Sequence, residues 1–261
     1  MDLEKAFETV KSFVLSAAEN ALQEWDNKEL FYHDNGLSIS TDLDYKIEKD
    51  FYKFINENFP EHGFKGEEFP ELHKDAEYMW FIDPIDGTNY YGKNVPMWSV
   101  TVSLLHNGQP IIGIIYNAVS KQFYHAIKGR GAYLNNEQLI FNSPTELNRI
   151  HAQVAYVPFN YYWDTHQDKV LRNLLMTNSN FFRVRMLGSG ALSLAWTSQS
   201  MFGACMDLYR HESKFVDIEA GILICQEAGA SYYKKELDEN FFFTIVAKQE
   251  VIEKVIELIE F

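Results

Sequence analysis

The chain is short of cysteine, of positive charge and of long apolar runs. Its two cysteines, Cys205 and Cys225, support neither a disulfide framework nor a zinc pattern. A reducing compartment, the cytoplasm, is expected. Lys and Arg number 23 against 37 Asp and Glu, a net charge of −14. Phosphate backbones need cationic neutralisation, so neither nucleic acid nor an anionic membrane is an expected partner. A small phosphorylated substrate stays open. Charge is screened beyond roughly 8 Å at physiological salt, and a bound divalent cation reverses the local field. No apolar run approaches the ~20 residues of a membrane span. The opening MDLEKAFETV is charged and amphipathic and lacks a signal-peptide core. The eight histidines show no H-E-x-x-H spacing, and Ser189 is not in a G-x-S-x-G elbow. Zinc hydrolysis and esterase chemistry are therefore not indicated.

What the chain does have is apolar and aromatic side chains, 46% and 15% of its residues, enough for a sizeable core. Leu3, Phe7, Val10, Val14 and Ala17, extended by Leu22 and Trp25, predict a helix over 3–26. A second starts at Thr41 or Asp42, buries Leu43, Ile47, Phe51, Phe54 and Ile55, and stops at Pro60. Strands are then expected at 77–82, 98–105, 111–116 and 122–127. Asn107-Gly108-Gln109-Pro110 is a hairpin signal and Gly129-Arg130-Gly131 a turn. Further on, strands at 152–157, 182–187, 204–209, around Tyr232 and at 242–247 alternate with helices at 192–200, 216–228 and 250–260. This predicts an N-terminal α+β half, 1–145, with two helices and an antiparallel sheet, and a C-terminal α/β half, 146–261.

The chemistry gathers in WFIDPIDGT, Trp80–Thr88. Pro84 biases Asp83 to an extended conformation and lacks a ladder donor, so the strand should end there. Gly87 permits a sharp turn. Asp83 and Asp86 then converge at the sheet's carboxyl end, where their repulsion needs a cation. Mg²⁺ takes oxygen ligands, and the Ile85 carbonyl is a further donor. The N–H groups of Gly87 and Thr88 suit a phosphate oxygen if a helix starts there. Each piece also has a purely structural reading. Asp-Pro and Asp-Gly are turn dipeptides. Glu67 and Glu68 of FKGEEF fit a solvated loop, Asp217 of FVDIEAG a helix-start acid, and Thr41 with Asp44 a capping pair. Gly188-Ser189-Gly190 fits a tight turn before a helix.

Taken together and in order, these pieces resemble one family. STDLDYKIEK, GEE at 66–68, WFIDPIDGT at 80–88, GSGALSL at 188–194 and VDIEAG at 216–221 are similar to the motifs of the Mg²⁺-dependent, Li⁺-sensitive phosphatases typified by inositol monophosphatase. VDIEAG is a looser version of the family's WDxAAG. The resemblance covers residues from about 38 to 230. It implies an α+β or α/β fold, a layered αβαβα sandwich of the inositol monophosphatase / fructose-1,6-bisphosphatase type, and a homodimer. It implies two to three Mg²⁺ ions. Glu67, Asp83 and the Ile85 carbonyl would hold the first, and Asp83, Asp86 and Asp217 the second. A third would share Glu67. The implied reaction is in-line attack of a metal-activated water on phosphorus, with no phosphoenzyme. Thr88 and Glu67 position that water, and Asp44 accepts from Thr88. The amides of Gly87 and Thr88 hold the phosphate, while Asp86, Gly188, Ser189 and Gly190 contact the substrate.

Departures from the family pattern bear on the substrate. Arg210 stands where many members carry a Glu that contacts a sugar hydroxyl. Arg accepts no hydrogen bond and prefers an anion, so a bisphosphate or a phosphate-carboxylate is expected. The structural alternative is a surface pair with an acid such as Glu212. His33 replaces a family lysine, which leaves lithium sensitivity and metal count open, and Val216 replaces the Trp before Asp217. Asn89-Tyr90-Tyr91 stands where nucleoside bisphosphate phosphatases often carry Lys-Glu. The leading expectation is a phosphomonoesterase of inositol monophosphate or a related sugar phosphate. The alternatives are a fructose-1,6-bisphosphatase-like or broad sugar-phosphate phosphatase, and a regulatory protein-binding member with incidental activity.

Overall fold

The computed structural model describes residues 1–33, 38–67, 69–156, 169, 172–174, 176–210, 215–237 and 241–259, with only the backbone at Ser38, Ala155, Tyr156, Arg210, Phe215 and Asp217. Helix α1 (Leu3–Gln23) starts at an Asp2 cap that accepts from the N–H groups of Glu4 and Lys5. It buries Phe7, Val10, Val14 and Ala17, as its spacing requires. It ends before Trp25, whose indole N–H turns to the Tyr91 carbonyl at 2.9 Å. A short hairpin follows, β1 (Leu30–His33) against β2 (Ser38–Thr41), which the sequence pattern does not announce. Thr41 then caps α2 (Asp42–Asn58). Its hydroxyl accepts from the Asp44 N–H while the Asp44 carboxylate accepts from the Thr41 N–H, a capping box.

The first sheet runs in the order β3 (Gly63–Lys65), β4 (Tyr78–Asp86), β5 (Ser99–His106), β6 (Gln109–Asn117), β7 (Gln122–Ile127), β8 (Ala132–Leu134), β9 (Glu137–Gln138). Only β3 and β4 pair in parallel; the other neighbours are antiparallel. The β5–β6 turn is just Asn107-Gly108, both at positive φ (50° and 76°), the two-residue turn that Asn-Gly favours. Gln109 and Pro110 already belong to β6, and a register shift at Leu104/Leu105 accommodates the proline.

The second sheet holds β11 (Arg183–Arg185), β10 (His151–Tyr156), β12 (Ala204–Arg210), β14 (Phe241–Ala247) and β13 (Ser231–Glu236), in that order. The pairs β11–β10 and β10–β12 are parallel, and the others antiparallel. Residues 172–174 and 176–180 are helical, which the sequence reading missed. The strand expected over 182–187 is only three residues long. The ends of two expected elements, at Val157 and Glu260, lie outside the described residues.

Three apolar clusters define five layers. α1 and α2 cover one face of the first sheet, packing on Trp80, Ile82, Val100, Val102 and Ile114. Helices α4 (Gly190–Ser198) and α5 (Phe215–Glu227) lie between the sheets, against Ile115 and Tyr124 on one side and Tyr209 and Phe242 on the other. Helix α6 (Gln249–Leu258) closes the far face of the second sheet with Val251, Ile252 and Val255. The architecture is the expected αβαβα sandwich. The strands of the first sheet lie before residue 145 and those of the second after it.

Candidate active site

The strand β4 does not stop at Pro84; it runs on to Asp86. Asp83 pairs with Thr101 and Asp86 with Ser99, so three steps on β4 match two on β5. This is a bulge, where a missing proline N–H costs the ladder nothing. It has a geometric consequence. In a regular strand, residues three apart point to opposite faces. The extra residue puts Asp83 and Asp86 on one face, beside Thr101 and Ser99. Both carboxylates are buried (4% and 5% exposed). The displaced Ile85 side chain goes to the opposite, α1/α2 core, fully buried.

Each acid is oriented. Asp83 Oδ1 accepts from the Ile85 N–H at 3.0 Å. Asp86 reaches the start of α4: its Oδ2 accepts from the Ser189 hydroxyl and, at 3.4 Å, from Ser99 Oγ, and its Oδ1 from the Gly190 N–H at 3.2 Å. Ser189 also caps α4, accepting from the Leu192 N–H at 3.2 Å. Gly188 donates its N–H to the Tyr90 hydroxyl at 3.1 Å, and a Cβ there would lie 3.0 Å from the Tyr90 ring. The structure thus joins DPIDGT to GSGA across the space between the sheets.

Gly87 takes φ +87°, and a Cβ there would lie 2.6 Å from the Met97 carbonyl oxygen, so only glycine fits this turn. A short helix, α3 (Thr88–Gly92), follows. Thr88 Oγ1 donates to the Ile85 carbonyl at 2.8 Å. That differs from the expectation that Asp44 accepts from Thr88, because a hydroxyl carries one proton. Asp44 Oδ2 instead accepts from the N–H and hydroxyl of Thr41 at 2.8 and 2.6 Å. Asp44 is close enough to Tyr91 to help raise its phenol, although burial of the ring is the larger cause.

Glu67 follows β3, which pairs alongside β4, and its side chain is exposed. Its N–H donates to Glu48 Oε2 at 3.1 Å, and the Phe69 N–H donates to Glu48 Oε1 at 2.7 Å. Glu48 was not singled out in the sequence. Its signal was the four-residue step from Asp44, which puts both acids on the buried face of α2. Asp217 lies in the first turn of α5, and Arg210 ends β12 opposite Phe241. The side chains of both, and all of Glu68, lie outside the described residues. Glu219, two residues beyond Asp217, is half-buried, and desolvation pushes its carboxyl up to about 7 against the opposing effect of Lys234.

Among the described residues, no group of three or more His, Cys, Asp and Glu is close enough to hold a metal. What the structure assembles is a smaller donor set: two buried carboxylates on one face and a nearby main-chain carbonyl. Such hard, all-oxygen donors suit Mg²⁺ better than zinc, which favours nitrogen and sulfur.

A sequence profile of the inositol monophosphatase family matches residues 2–253. The fructose-1,6-bisphosphatase/inositol-1-monophosphatase of Aquifex aeolicus is 31% identical over 205 residues, 73% of this chain and 74% of that protein. The inositol-1-monophosphatase of Bacillus subtilis is 30% identical over 201 residues, 76% of this chain and 73% of that protein. The crystal structure of the extragenic suppressor protein suhB from Bartonella henselae superposes with a TM-score of 0.84 at 20% identity, covering 97% of this chain and 98% of that one. That likeness concerns the fold. With the motifs, the layered fold and the matched relatives in agreement, the chain belongs to the inositol monophosphatase family.

Proposed function

We propose that the protein is a Mg²⁺-dependent phosphomonoesterase of inositol monophosphate or a related small sugar phosphate. The observation that carries this reading is the bulge that sets Asp83 and Asp86 side by side, held at its far end by Ser189 and Gly190. Glu67, Asp83, the Ile85 carbonyl, Asp86 and Asp217 would hold two to three Mg²⁺ ions. When bound, the ions lower the pKa of a water and offset charge on the phosphoryl and leaving oxygens. Ser189 and Gly190 fix the direction of the Asp86 carboxylate. Gly87 and Thr88 offer main-chain N–H groups to the phosphate at the start of α3. Thr88, with Glu67, orients the attacking water in line with the leaving sugar oxygen. Asp44 holds the start of α2 through its bonds to Thr41. Gly188, Ser189 and Gly190 would lie on the sugar side, with Gly188 closed against the Tyr90 ring and Ser189 committed to Asp86.

Arg210, at the end of β12, is suited to a second anion, and a matched relative is named for fructose 1,6-bisphosphate as well as inositol 1-phosphate. That favours a bisphosphate as a second substrate class. Arg210→Glu should lower kcat/KM for a bisphosphate more than for a monophosphate; equal losses would remove this second reading. A homodimer in the cytoplasm accompanies the proposal, read out by sedimentation and cell fractionation. No described helix is long and apolar enough to cross a membrane.

The test of the main reading is phosphate release with Mg²⁺ from inositol 1-phosphate, fructose 1,6-bisphosphate, adenosine 3′,5′-bisphosphate and a generic phosphomonoester. Asp83→Asn is the control. We expect release from at least one substrate, lost by ~10³-fold or more in the variant. Release that survives Asp83→Asn would sink the assignment of the site.

A further inference from the structure

Glu48 is a fully buried carboxylate to which the proposed chemistry gives no part. Burying such a group is costly unless it is hydrogen-bonded. Its two oxygens are taken by two main-chain N–H groups of one distant segment: Glu67 at 3.1 Å and Phe69 at 2.7 Å. The glycine before them fits the same picture. A Cβ on Gly66 would lie 2.0 Å from Glu48 Oε1 and 2.3 Å from its Cδ. Gly66 is not among the residues at positive φ, so glycine is needed there for space and not for conformation. The aromatic ring of Phe69 then packs on α2, 4.8 Å from Tyr45 and 6.1 Å from Tyr52 between centroids. Gly66, Glu67 and Phe69 are therefore held onto α2 by one carboxylate, one absent side chain and one aromatic contact. Glu67 itself is exposed, and its main-chain N–H is one of the two that Glu48 holds.

We propose that Glu48 is a positioning residue for the metal site: it fixes the main chain at Glu67 so that the Glu67 carboxylate is presented to the ion that Asp83 also holds. This rests on the reading of Glu67 and Asp83 as ligands. A merely structural Glu48 would alter stability and leave metal affinity alone. Glu48→Gln separates the two. It keeps the shape and one acceptor, and turns an NH₂ toward one of the two N–H donors. Mn²⁺ binding to the substrate-free protein, followed by the loss of the free-ion EPR signal, should weaken by roughly 10–100-fold. The Mg²⁺ concentration for half-maximal activity should rise in parallel, and KM at saturating Mg²⁺ should change little. Because Glu48 acts through Glu67, adding Glu48→Gln to Glu67→Gln should weaken Mn²⁺ binding no further.

Unchanged Mn²⁺ affinity in Glu48→Gln, or additive losses in the double variant, would overturn the proposal. If Glu48→Gln does not fold, Gly66→Ala presses on the same carboxylate from the other side. It should show the same loss of Mn²⁺ affinity, and an unchanged affinity there also overturns the proposal. Failure of the underlying reading looks different: Asp83→Asn would then bind Mn²⁺ as the wild type does, and Glu48 would lose its role with it.

Discussion

His62 shows how one residue ties stability to pH. Its ring is stacked between Phe59 and Tyr78, with centroids at 5.1 and 5.0 Å. Its Nδ1 lies 3.0 Å from Trp80 Nε1, and an indole nitrogen can only donate. Nδ1 must therefore carry a lone pair, which fixes a neutral tautomer. Burial is the main cause that holds the imidazole pKa below its ordinary value, and the N-terminal amino group adds to it. A folded-state pKa below the unfolded one stabilises the fold above about 6.5. The contribution is lost as pH falls through the lower folded value. Replacing His62 by Phe leaves the buried Trp80 N–H without its acceptor, at about 1–3 kcal/mol near neutral pH. The stability gap between wild type and His62→Phe, from urea unfolding, should narrow as pH is lowered below about 6.5. A gap that stays constant would show that the Trp80 bond does not depend on the neutral ring.

At the scale of elements, two glycines make opposite predictions. Gly108 sits at φ +76° with nothing within 4 Å of a built Cβ. Gly108→Ala pays only for its backbone conformation, about 1–2 kcal/mol, and kcat should not move. Gly113 on β6 faces α5: a Cβ there would lie 2.7 Å from the Ala220 carbonyl oxygen and 2.9 Å from its Cα. Main chain cannot swing aside as a side-chain tip can. Gly113→Ala must push helix and sheet apart, at about 1–3 kcal/mol. Because α5 carries Asp217 and the sheet carries Asp83, kcat should fall with stability. Urea midpoints and kcat at saturating Mg²⁺, measured on both variants, check the pair. Loss of activity in Gly108→Ala, or full activity in Gly113→Ala, would break the link between this contact and the site.

For the whole molecule, the middle layer decides how the halves behave. Its core mixes Ile115, Tyr124 and Ala126 of the first sheet with Cys205, Tyr209 and Phe242 of the second, around α4 and α5. Glu227, at the end of α5, also accepts from the N–H groups of Gly129 and Gly131 at 2.8 and 2.9 Å. A division near residue 145 therefore separates two sheets but cuts through a shared core. The chain should unfold in one transition by far-UV and aromatic CD, and residues 1–145 alone should not fold, because one face of their sheet would meet water. Two resolved transitions would show that each half holds its own core.

What is local is legible in the sequence: the helix faces of α1 and α2, the capping box at Thr41, the Asn107-Gly108 turn and the order of motifs that marks the family. Such features depend on residues within a few positions of one another. It misplaced what depends on register. Pro84 argued for the end of β4, yet the strand absorbs it in a bulge, and that bulge turns two acids at an odd spacing to one face. It was silent on Glu48, because a buried acid on α2 has no visible purpose until Glu67 and Phe69 are brought to it. The link from Asp86 to Ser189 was equally invisible, since it joins the first sheet to the start of a helix about a hundred residues on. These three arise from long-range contacts: each requires segments distant in the chain to meet at hydrogen-bond range, and no spacing within one segment encodes that meeting.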